Sequence, residues 1–148
     1  MLKEYLIKIF ERDLEKLKSE IQLFNAEENL WITKGDIKNS AGNLALHLCG
    51  NLKHFIGHSL GGTNYIRERE KEFSLKKIPQ KELLKNIDET KSVVLSTLHN
   101  LNDAKFNEIY SEKISLGEVE IGHFLLHLTT HLNYHLGQIN YLRRMQIN

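Results

Sequence analysis

HFLLHLTTHLNYHLGQ, residues 123–138, decides how this chain is read. Its apolar residues Phe124, Leu125, Leu128, Leu132 and Leu136, continued by Ile121 before and Ile139 and Leu142 after, return on one face of a helix. Its histidines recur every fourth residue, at His123, His127, His131 and His135, and make a second row beside that stripe. His54 and His58 add another pair at the same spacing. Eight histidines scattered over a chain of this length would give roughly 0.4 such pairs, so the row needs a reason. On a wheel turning about 100° per residue, His135 lies about 40° from the centre of the apolar face, His131 about 80°, His127 about 120° and His123 about 160°. The spacing predicts His131 and His135 inward, His127 at the boundary and His123 in solvent.

Outward from this stretch, Ser115-Leu-Gly-Glu118 reads as a capping box that opens the last helix, which runs to about Arg144. Leu6, Phe10, Leu14, Leu17, Ile21 and Phe24 are the seam of a first helix over about residues 2 to 25. Asn39 or Ser40 caps a second helix, which carries Leu44, Leu48, Leu52 and Phe55 to about His58, where Gly61-Gly62 stops it. Pro79 opens a third, whose seam is Leu83, Ile87, Thr90, Val94 and Leu98. One proline and no alternating run leave an all-α, four-helix bundle as the expected fold of a single domain, residues 1–148. The connection over residues 59–78 exceeds what an antiparallel turn needs, so the expected path is up-down-down-up, with a long crossover between helices two and three. The charged stretch Asn64–Phe73 within it reads as a solvated crossover.

Lysine and arginine total 20 against 19 acids and are interspersed with them, which gives no footprint for nucleic acid. No apolar run is long enough to span a bilayer, and the opening residues do not read as an export signal, so a cytoplasmic protein without membrane attachment is expected. The lone Cys49 excludes an internal disulfide and reads as a small core residue.

Two imidazoles supply half of a tetrahedral metal site, and a third ligand must come from another helix. His47, Asn51, His54 and His58 of the second helix form one polar flank. If the two helices are antiparallel with ends aligned, depth favours His54 over His47. Leu132, where a zincin places its catalytic glutamate, excludes that protease chemistry.

Ala45-Leu-His47-Leu-Cys-Gly-Asn51-Leu, together with His131-Leu-Asn-Tyr-His135-Leu-Gly-Gln138-Ile, resembles the DinB/YfiT-like superfamily of metal-dependent bundles over essentially the whole chain. The resemblance implies His47, His131 and His135 as ligands of a divalent ion, nickel or zinc first, then iron, manganese or cobalt. It leaves Asn51, Gln138 and His54 as groups behind the ligands or against a substrate. It also implies a homodimer and a small-molecule substrate, with low-molecular-weight thiols used by the characterised S-transferases and isomerase. Arg67–Phe73 and the glycines before it are similar to one uncharacterised branch. Three neutral ligands would leave an ion its full charge to acidify a thiol or water, so thiol S-transfer or hydrolysis is the expected chemistry. In that reading Gly137 admits a neighbouring backbone. The rival is a non-catalytic metal-binding or structural bundle, favoured by the lack of a carboxylate at fixed spacing from the histidines.

Overall fold

The computed structural model describes residues 1–146. Among them the chain is all-helical, and its only β-type pairing is an isolated bridge between Ile109 and Glu120. Helix α1 spans Leu2–Gln22, and Leu6, Phe10, Leu14, Leu17 and Ile21 of its seam are fully buried. Each contributes about 1.5–3 kcal/mol by leaving water, which is what holds an amphipathic helix in place. A 3-10 turn, Glu27–Trp31, leads to α2, Ala41–Leu52, where Ser40 Oγ accepts from the Asn43 amide as the sequence predicts of a cap. A π-helical turn, Lys53–His58, continues α2. Helix α4, Gln80–Asn100, follows Pro79 as expected, and α5 spans Ile121–Arg144.

Helix α1 packs on α4 and α5, and α2 packs on the same two. Lys53 reaches Asn86, Gly57 faces Val93 and Gly61 faces Thr97, so residue numbers rise together along α2 and α4. Asn133 and Asn140 of α5 donate to Asp13 and Glu20 of α1, again in rising order.

Two expectations are corrected. The Ser115–Glu118 box does not open α5, which begins at Ile121 with Glu120 as its cap. Gly117 has φ +78°, outside the helical region, and the segment is instead tied across by Tyr110 N–H to Val119 O and Ile121 N–H to Glu108 O.

The crossover is exposed over most of Asn64–Phe73, as expected of a solvated one, but it is not a plain strap. It folds a short helix, α3, Arg69–Ser74, against α2. Asn43 Nδ2 donates to the carbonyls of Glu72 and Leu75 at 2.9 and 2.8 Å, and Glu72 is buried. The Glu72 carboxylate lies over Gly50, where a methyl group would overlap it. Gly137, by contrast, has nothing within 4 Å of where a Cβ would stand, so no neighbouring backbone approaches it among the described residues.

Gly50→Ala is therefore expected to lose about 1–3 kcal/mol through overpacking, although alanine is the better helix former. Gly137→Ala should gain up to about 1 kcal/mol. Urea denaturation midpoints of the two variants measure both.

Candidate metal centre

The inward faces of α2 and α5 bring His47, His131 and His135 together, with one ring nitrogen from each within 4.8 Å of the others. The His47 and His131 Nε2 atoms stand 3.2 Å apart. Two nitrogens that each sit about 2.0–2.1 Å from one cation must be roughly 2.9–3.4 Å apart in octahedral or tetrahedral geometry, so this separation suits a shared ion. All three rings lie at 76° to 89° to one another, with their edges converging.

Hydrogen bonds fix which nitrogen of two rings is free. His47 Nδ1 donates to Glu72 Oε1 at 3.0 Å, and an ionised carboxylate only accepts, so the His47 lone pair is on Nε2. His135 Nδ1 donates to Gln138 Oε1 at 2.7 Å, with the same result. His131 Nδ1 is buried without a partner. Metal-binding histidines are commonly held in this way by an acceptor behind the ring, and two of these three are.

Glu72 owes its charge to its neighbours. Burial pushes its carboxyl upward, but hydrogen bonds from Arg67 and His47, together with the Arg67 charge, hold it below the usual carboxylate range. Arg67 meets it with two parallel bonds, Nε to Oε2 at 2.8 Å and Nη2 to Oε1 at 2.9 Å. Burial, and then the neighbouring His135 and His47, push His131 down to about 4. Burial also lowers His135, against the pull of Gln138. Burial thus favours the neutral form of His131 and His135.

The remaining histidines sort as the wheel predicts: His123 is exposed and His127 is half-buried, stacked on Phe124. The depth argument for His54 is corrected. Its Nε2 bonds to Glu112 at 2.9 Å instead, because the helix ends are not level and α5 runs about five residues further past the triad than α2 does. Asn51 is buried, and it lines a cavity with His47 and His131.

Arg67 and Glu72 escaped the sequence reading. Their signal was Gly50, three residues after His47 in an otherwise leucine-rich helix, which marks a close approach from elsewhere.

The model for a family described as protein of unknown function (DUF1572) matches residues 3–148. The chain belongs to that family. No curated protein matches it. The match runs from α1 through α5, so both histidine-bearing helices and the crossover lie inside the family's shared region.

In the metal-free protein, acid should unfold the centre in a defined window. His131 refuses a proton that the unfolded chain takes up, so stability is expected to fall as pH drops from 6.5 towards about 4, where the folded group begins to titrate. His131→Asn should flatten that part of the profile of urea midpoint against pH.

Proposed function

We propose that this chain is a divalent-metal-dependent enzyme of the DinB/YfiT-like type, with His47, His131 and His135 as its ligands and thiol S-transfer or hydrolysis as its chemistry. The observation that carries the reading is the convergence of three ring nitrogens, two of them with their tautomer fixed from behind. The donor set fits a zinc- or nickel-class ion, since imidazoles bind as neutral ligands and burial keeps His131 and His135 neutral. Bound there, a divalent ion would supply Lewis-acid activation of a thiol or a water.

The chain's own groups would do the rest. Glu72 holds the His47 ring in the ligating tautomer, and Arg67 keeps Glu72 charged while it does so. Gln138 orients His135. Phe55, Phe124 and Leu128 give the cavity beside His131 apolar walls. The register of α2 with α4, and of α1 with α5, supports the four-helix, up-down-down-up path of that type. No helix among the described residues is long and apolar enough to cross a membrane, which agrees with a cytoplasmic enzyme; a homodimer is part of the same proposal.

A non-catalytic metal-binding role is the second reading, and one observation favours it. Both Glu72 oxygens are taken by His47 and Arg67, and among the described residues no carboxylate lines the cavity that reaches His47 and His131.

Protein purified without a histidine tag is expected to carry about one divalent ion per chain by elemental analysis. His131→Ala should lose the ion and any S-transfer activity while keeping its helical circular dichroism. Glu72→Gln should bind zinc about 10–100-fold more weakly, measured against a chromophoric chelator. Activity that survives complete metal removal would overturn the enzymatic reading. Bound ion without activity across a panel of thiols and electrophiles would leave the binding role.

A further inference from the structure

A cavity of about 390 Å³ opens beside the triad and reaches His47 and His131. It has the size of a small-ligand site. Its charged lining has one sign: Arg67, Arg69 and Lys113 contribute, and among the described residues neither aspartate nor glutamate does. Arg67 is committed to Glu72, whereas neither Arg69 nor Lys113 pairs with an acid among the described residues. Arg69 is instead steadied over the Phe73 ring, 5.3 Å from its centre. The two cations come from different elements, α3 and the segment before α5, and both line this opening.

A second observation is independent of charge. Asn51 lines the same cavity with 7% exposure, and its Oδ1 is buried with no hydrogen-bond partner. A buried acceptor left empty costs roughly 1–3 kcal/mol, and such atoms are few in native proteins. A ligand that brings an N–H or O–H to this oxygen would relieve that cost.

We propose that this cavity takes a small organic anion, with its charged end on Arg69 and Lys113, a hydrogen-bond donor on Asn51 Oδ1, and its reacting end at the triad. Only the last of these three contacts rests on the metal-centre reading. The anion and donor contacts stand on the cavity alone. The arrangement disfavours purely apolar substrates, which would leave Asn51 Oδ1 unsatisfied and make no use of the two cations.

N-acetylcysteine and its neutral amide test this, since they share a thiol and an N–H and differ by one charge. Calorimetric titration of the zinc-loaded protein is expected to show about tenfold tighter binding of the acid. The double variant R69Q/K113Q should bind acid and amide alike while its zinc content is unchanged. Asn51→Leu should weaken both ligands together, with circular dichroism confirming the fold. Equal wild-type affinities, a preference that survives the double variant, or unaltered binding in Asn51→Leu would overturn the proposal and leave the metal reading standing. If the protein takes up no zinc, the metal reading fails, and the same acid and amide titrations of the metal-free chain decide the cavity: a charge preference supports it, and no binding of either ligand overturns it.

Discussion

A buried chain of charge, from Arg67 through Glu72 to His47, is the contact on which the centre depends. Taking a guanidinium and a carboxylate out of water costs several kcal/mol per ion, and only good geometry with every oxygen satisfied offsets this. Here the pairing is bidentate, and His47 shares Oε1 with Arg67 Nη2. The backbone conditions are just as strict: Asn43 must hold the α3 carbonyls, and Gly50 must lack a side chain. Removing one partner would strand a buried charge beside the His47 ring.

That contact also explains how unlike halves combine. Helices α2 and α5 bring donors on apolar faces, where leucines fix the ring positions to within a helical turn. They cannot decide which nitrogen points inward. The acceptors do that, Gln138 from the next turn of α5 and Glu72 from a distant segment. The fold sets position and the hydrogen bonds set chemistry.

Much of this was legible in the sequence. Period 3.6 was enough for the four long helices and for the ordering of the histidine ladder from exposed His123 to inward His131 and His135, because burial of an apolar stripe is a property of one helix at a time. The choice between His47 and His54 was not legible from spacing, since it depends on how far α5 slides along α2, and it was the resemblance in the Ala45–Leu52 stretch that pointed to His47. The start of α5 was misread because a capping box is a local signal, and Gly117 took a backbone conformation no helix can use. Glu72 looked like one acid among many in a charged run. Its burial is a tertiary fact, announced only by the gap that Gly50 leaves for it.

The crossover's role gives the centre an unusual modularity. The three histidines are embedded in helices whose seams constrain every neighbouring residue, but the group that sets the His47 tautomer is carried on a connection, where sequence change disturbs few packed side chains. A different segment between Gly61 and Gln80 could exchange the carboxylate for a carbonyl, or replace Arg69 at the cavity mouth, without touching one leucine of the core. Divergence among chains built this way has a cheap direction: the histidines stay, and ring basicity and the charge of the cavity drift in the segment that crosses over them.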